Sequence, residues 1–209
     1  MIQVESESTD KVALTVILNH HLLVKGHLMV SHHALQSTYM IAFGNGTGTC
    51  FTIEVEGSQY LISAEHVVPI DSGPVTVGIL REEGFVDVLC DYVGSDKAVA
   101  DVIVLKPRVR LPSPTSLIAS CKHTFLSQDV YFLGFPYGLS DNSFAINNGF
   151  PIPLVKKACI SMMQLGNADS KYLILDGHNN PGFSGGPVVW NTPAYSDDIG
   201  HVFRLMSAT

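Results

Sequence analysis

Ser184 stands in the heptapeptide Pro181-Gly182-Phe183-Ser184-Gly185-Gly186-Pro187. A serine hydroxyl is a weak nucleophile until a base takes its proton. An acyl-transfer transition state also needs N–H donors aimed at the developing oxyanion. Glycines around a serine permit the tight turn that presents backbone amides to a ligand. The N–H groups of Gly182 and Ser184 are therefore the candidate oxyanion hole. Glycine-serine clusters also occur in plain turns and linkers. This one gains specificity from the full heptapeptide and from the apolar run Val188–Trp190 that follows it.

The candidate base is His66, in Leu61-Ile62-Ser63-Ala64-Glu65-His66-Val67-Val68, an apolar strand pattern followed by small residues and a histidine. The candidate acid is Asp101, in Ala100-Asp101-Val102-Ile103-Val104-Leu105, directly ahead of an apolar strand. Singly, such a histidine more often packs or caps, and such an aspartate more often closes a turn. In this order, however, the three patterns together are hard to obtain by chance. The separations, 35 residues from His66 to Asp101 and 83 from Asp101 to Ser184, leave room for several strands. Asp96 is the nearest competitor of Asp101. It sits in a glycine-serine loop with no apolar strand after it, and it ranks lower.

Short apolar segments must position these groups. Tyr39–Phe43, Cys50–Val55, Tyr60–Ser63, Val75–Leu80, Val86–Cys90, Val102–Leu105, Val130–Leu133, Leu173–Leu175, Val188–Trp190 and Val202–Met206 read as strands, with a turn at Glu56-Gly57. Strands this short and frequent, with no long amphipathic helix between them, predict an all-β barrel or sandwich. The 18 glycines and 11 prolines suit its many turns. The stretch 108–128 holds Pro112 and Pro114 and has no strand pattern, so it is the expected crossing between two halves.

The motifs resemble those of the trypsin-like (chymotrypsin-fold) serine peptidase superfamily, with most similarity to its bacterial Deg or high-temperature-requirement branch. That branch's "Ala-x-His-Val" core resembles Ala64–Val67, and its aspartate motif resembles Asp101–Leu105. Its "Asp … Asn-Pro-Gly-x-Ser-Gly-Gly-Pro" resembles Asp176 with Asn180–Pro187. Gly46-Thr47-Gly48 resembles its glycine turn, and Gly134-Phe135-Pro136 its Gly-aromatic-Pro turn. The resemblance covers residues 37–190 and implies two antiparallel β-barrels with the site between them. It implies a serine endopeptidase that hydrolyses polypeptide substrates through an acyl-enzyme, with Ser184 attacking the carbonyl, His66 taking and returning its proton and Asp101 holding the imidazole tautomer. No cofactor and no metal are expected. Residues 1–36 are set apart as an extension and 37–209 as the peptidase domain. The alternative is an impaired protease-fold domain that binds peptides or proteins.

Four departures qualify the resemblance. Phe183 stands where digestive trypsin-like enzymes carry an aspartate that pairs with a newly released N-terminus. Val67 stands where secreted members have a disulfide cysteine. Both point to an intracellular or bacterial-type enzyme. His178, six residues before Ser184, falls at the expected base of the primary specificity pocket and carries no fixed negative charge, so a preference for Lys or Arg is not implied. Only 25 residues follow Ser184. The strand lining the substrate channel is expected at 202–208, with Ser207 supporting the triad aspartate. It is expected to lie at an edge without a neighbour, and the second barrel is then either completed differently, as by residues 1–35, or left open.

Composition narrows the alternatives. Hydrophobic residues make up 46% and charged residues 15%, which suits a packed globular chain. The formal net charge is −7 and no basic stripe appears, which argues against a nucleic-acid groove. No apolar run is long enough to cross a bilayer, and so no membrane partner is expected. The first ten residues carry Glu5, Glu7 and Asp10 where a secretory leader would be positive, which predicts a cytoplasmic location. Cys50, Cys90, Cys121 and Cys159 show no metal-type pairing and read as reduced core residues. His20, His21, His27, His32 and His33 are irregularly spaced, with no Cys or carboxylate among them, and read as ordinary polar positions.

Overall fold

The computed structural model describes residues 30–96, 100–113, 117–119, 124–165, 171–190 and 201–204. A five-residue helix, α1 (His32–Gln36), is capped by Ser31, whose side chain accepts from the Ala34 N–H. It leads into β1 (Thr38–Phe43), β2 (Gly46–Val55), β3 (Ser58–Ala64), β4 (Pro74–Arg81), β5 (Gly84–Asp96) and β6 (Val102–Pro107). These close into an antiparallel barrel in the order β1-β2-β3-β6-β5-β4. Closure removes the unpaired edges that an open sheet would expose. The β2–β3 turn falls on Glu56 and Gly57, both in the left-handed region at φ 50° and 76°. The β1–β2 turn falls on Gly44-Asn45, and Gly46-Thr47-Gly48 belongs to β2 rather than to a turn.

The second half comprises β7 (Ile118–Ala119), β8 (Asp129–Gly134), β9 (Leu154–Leu165), β10 (Lys171–Asp176), β11 (Pro187–Trp190) and β12 (His201–Arg204). They form one sheet ordered β10-β9-β8-β11-β12-β7. Its pairs are antiparallel except β12 with β7, which run parallel. The expected lone edge strand is thus corrected for its described part: β12 has β11 on one side and β7 on the other. Ser207 lies outside the described residues, as do Cys121, His20, His21 and His27.

Alternation along the strands sorts side chains into three cores. Leu61 points into the barrel with Tyr39, Ile41, Val77, Ile79, Ile103 and Leu105. Its neighbour Ile62 points outward, where it packs with Phe51, Leu117, Tyr131, Leu133 and Val189 between barrel and sheet. On β8 the odd residues Tyr131 and Leu133 face that interface. Val130 and Phe132 face a third core with Ile160, Phe183, Val188 and Trp190. A strand buried on both faces reads as a continuous apolar run, as 130–133 does.

The crossing segment is fastened to the barrel. Gln59 and Leu111 exchange two hydrogen bonds, Nε2 to the Leu111 carbonyl at 3.0 Å and the Leu111 N–H to Oε1 at 2.8 Å. The Tyr39 hydroxyl donates to the Pro112 carbonyl at 2.6 Å. Among the described residues, no helix is long and apolar enough to cross a membrane.

Candidate active site

The antiparallel register of β3 and β6 brings His66 to Asp101. Ala64 is paired with Val102, so the residues just beyond Ala64 meet the residue just before Val102. Beyond β3 the chain turns, with the Val67 and Val68 N–H groups both donating to the Ala64 carbonyl. That turn leaves the His66 side chain 49% exposed at the barrel rim. Asp101 holds the turn at three points. Its carbonyl accepts from the Glu65 N–H at 3.2 Å, Oδ1 accepts from the His66 N–H at 3.0 Å, and Oδ2 lies 2.7 Å from His66 Nδ1. A carboxylate only accepts, so Nδ1 carries the hydrogen, and in a neutral imidazole Nε2 then keeps its lone pair, facing away from Asp101. Asp101 has φ 33°, sparsely allowed for a residue with a side chain, and these bonds hold it there.

The loop between β10 and β11 carries Ser184. Phe183 anchors it: the ring is buried in the third core, edge-on to Phe132 at 4.9 Å between centroids. Thr49, on β2, ties the loop to the first barrel. Its N–H donates to the Ser184 carbonyl at 2.9 Å, and its hydroxyl donates to the Gly182 carbonyl at 2.6 Å while accepting from the Phe135 N–H at 3.1 Å. A side chain at Gly185 would run into Ser63 Oγ at 2.5 Å and the Ala64 N at 2.6 Å, so only glycine lets the loop lie against the end of β3. A side chain at Gly48 would meet Val67 at 2.8 Å and the Ser184 carbonyl oxygen at 3.3 Å.

The Pro181 carbonyl accepts from the Tyr137 N–H at 2.9 Å. Across a trans peptide the N–H points opposite to the C=O, so the Gly182 N–H is turned away from Tyr137. Gly182 itself has φ 104°, a glycine conformation. Among the described residues, neither the Gly182 nor the Ser184 N–H donates to a backbone carbonyl. Two such donors beside a candidate nucleophile are what an oxyanion would need.

Of the residues singled out in the sequence, His66 and Asp101 are directly bonded. Ser184 is held at the same rim through its backbone, by Thr49 and against Gly48. Among the described residues, no hydrogen bond joins its hydroxyl to His66, a bond that often tightens only when substrate is present. His178 is exposed, and its carbonyl accepts from Lys156 Nζ at 2.9 Å. Asp96 closes β5 in register with Val102, in a strand rather than the loop expected for it. Sequence reasoning passed over Thr49, Tyr137 and Lys156. Thr49 follows directly on the glycine-rich Gly46–Gly48, but nothing local marks its three distant partners.

The fold is the chymotrypsin-like all-β fold, and its solved counterparts include HtrA- and Deg-type proteases. The crystal structure of Deg5 superposes with a TM-score of 0.55 at 18% identity, over 81% of this chain and 78% of its own. The HtrA-type protease AlgW with tripeptide superposes with a TM-score of 0.52 at 21% identity, over 76% of this chain and 48% of its own. The chain thus spans about half the length of AlgW. No protein-family model matches the sequence, and no curated protein matches it.

Proposed function

We propose that this chain is a serine endopeptidase in which Ser184 is the nucleophile, His66 the base and Asp101 the orienting acid. The observation that carries this reading is the 2.7 Å bond from His66 Nδ1 to Asp101, at the rim where Thr49 holds the Ser184 loop. Ser184 Oγ attacks the scissile carbonyl as His66 Nε2 takes its proton. The Gly182 and Ser184 N–H groups receive the oxyanion. His66 then gives the proton to the leaving amine, and water hydrolyses the acyl-enzyme by the same steps. The substrate class is polypeptide, in keeping with the tripeptide in the AlgW structure.

The test is labelling by a small fluorophosphonate, read by mass spectrometry at Ser184. The wild-type chain is expected to label, and the Ser184→Ala and His66→Ala variants are not. Labelling is expected to slow on acidification, because a protonated imidazole cannot accept the serine proton. Label on another residue, or equal labelling of the His66→Ala chain, would end the reading. The rival reading is an impaired protease-fold domain that binds peptides, which the unmade bond between Ser184 and His66 favours. It predicts peptide binding with Ser184 unlabelled.

A further inference from the structure

The loop bearing Ser184 must hold its shape for the Gly182 N–H to face an oxyanion, and in this chain the usual clamp is missing. In the digestive enzymes the sequence resembles, an aspartate before the serine pairs with an N-terminal ammonium. Phe183 cannot make that pair. The structure nonetheless places an ammonium at the loop.

Lys156 lies on β9 opposite Phe132 of β8. Its half-buried side chain reaches over the loop. Nζ donates to the His178 carbonyl at 2.9 Å and to Asn180 Oδ1, and it lies 5.5 Å from the centroid of the Phe183 ring. Asn180 Nδ2 donates in turn to the Tyr137 hydroxyl at 3.2 Å, and the Tyr137 N–H holds the Pro181 carbonyl. One cation therefore touches residues 178, 180 and 183, and through Asn180 and Tyr137 its network reaches the peptide whose N–H belongs to Gly182. An ammonium has three donors and no acceptor, and bonds from a charged donor are about twice as strong as neutral ones. The face of an aromatic ring adds attraction for a cation. Lys157, the next residue, faces the other way and pairs with Asp129 at 2.7 Å on the surface.

We propose that Lys156 is the positioning residue of the serine loop: an ammonium built into β9 that does the work of a released N-terminus. The loop is then formed without a cleavage step. The proposal rests on the endopeptidase reading for its catalytic consequence, but not for its structural one.

The experiment measures amide hydrogen exchange across residues 178–184 of the full chain, together with the rate of fluorophosphonate labelling. Lys156→Met keeps the stem and removes the charge. It is expected to speed exchange in 178–184 by roughly tenfold or more, and to slow Ser184 labelling by a similar factor, with exchange in β1–β6 unchanged. Lys156→Arg keeps a cationic donor and is expected to stay within about threefold of wild type in both. Lys157→Met, which also removes a charge from β9, is expected to change neither. Wild-type loop exchange in Lys156→Met, or the same loosening in Lys157→Met, would overturn the proposal. If Lys156→Met does not fold, Asn180→Leu, which removes one acceptor of the ammonium, must loosen the same segment or the proposal fails. If wild-type Ser184 takes no label, the endopeptidase reading falls, while loop exchange still decides the role of Lys156.

Discussion

Thr49 joins three segments with one amide and one hydroxyl. It is fully buried, bonded to Ser184, Gly182 and Phe135, and its own carbonyl accepts from Ser63 Oγ at 2.8 Å. Thr49→Val keeps the shape and strips the hydroxyl, leaving the Gly182 carbonyl and the Phe135 N–H without this partner beside a buried side chain. The expected loss is about 1–3 kcal/mol of stability, seen as a lower urea midpoint, together with slower labelling of Ser184. Ser184→Ala should do the reverse. Stability should stay near wild type, while under the proposed endopeptidase function peptide turnover falls on the order of a million-fold, the scale of a lost triad nucleophile. A Thr49→Val chain as stable and as readily labelled as wild type would show that this hydroxyl does not hold the loop.

The glycine loop is set by close approach more than by flexibility. Gly185 has φ 83°, and any side chain there would meet Ser63 and Ala64 of β3. Gly185→Ala should therefore push the loop off the barrel while both halves stay folded. The expected result is a circular dichroism spectrum like wild type with labelling of Ser184 lost. Retained labelling would show that the loop can shift without harm. β9 teaches a different lesson about legibility. Lys156 and Lys157 interrupt its apolar pattern, so 154–165 does not read as a strand, yet it is one of the longest in the chain. Cross-strand and loop partners compensate for both cations: Asp129 for Lys157, and the 178–180 segment for Lys156. The Asp129 carboxylate holds the Lys157 ammonium above its ordinary pKa.

The molecule as a whole is expected to lose stability in alkali. Burial, and then the charge of Asp91, pushes the Cys90 thiol up to about 11. Burial raises Cys50 and Tyr39 as well, in the same barrel core. The unfolded chain releases these protons at about 8.5–10. The folded chain keeps them, because a thiolate or phenolate in that core would lose its hydration. Stability is thus fully present below the unfolded values, near pH 8–9, and is lost as pH rises toward 11. The urea midpoint should fall over that window, and Cys90→Ala should make the fall shallower. A midpoint that stays flat to pH 11 would show that these groups do not titrate with unfolding.

Local chemistry determined much of this protein from its sequence. Short apolar runs between turn residues gave most of the strands, because strands need apolar faces to bury, and Glu56-Gly57 gave a turn, because few residues tolerate positive φ there. The residue types around His66, Asp101 and Ser184 named candidate chemistry without placing it. Their placement came from long-range pairing. The β3–β6 register joins His66 to Asp101 across 35 residues, and Thr49 reaches Gly182 across 133. The same holds for the parallel β7–β12 pair and for Lys156 over the serine loop. These contacts depend on which strands become neighbours when the barrel closes and the second sheet packs on it. A one-dimensional pattern records which face of a strand is buried, but not which distant residue that face will meet.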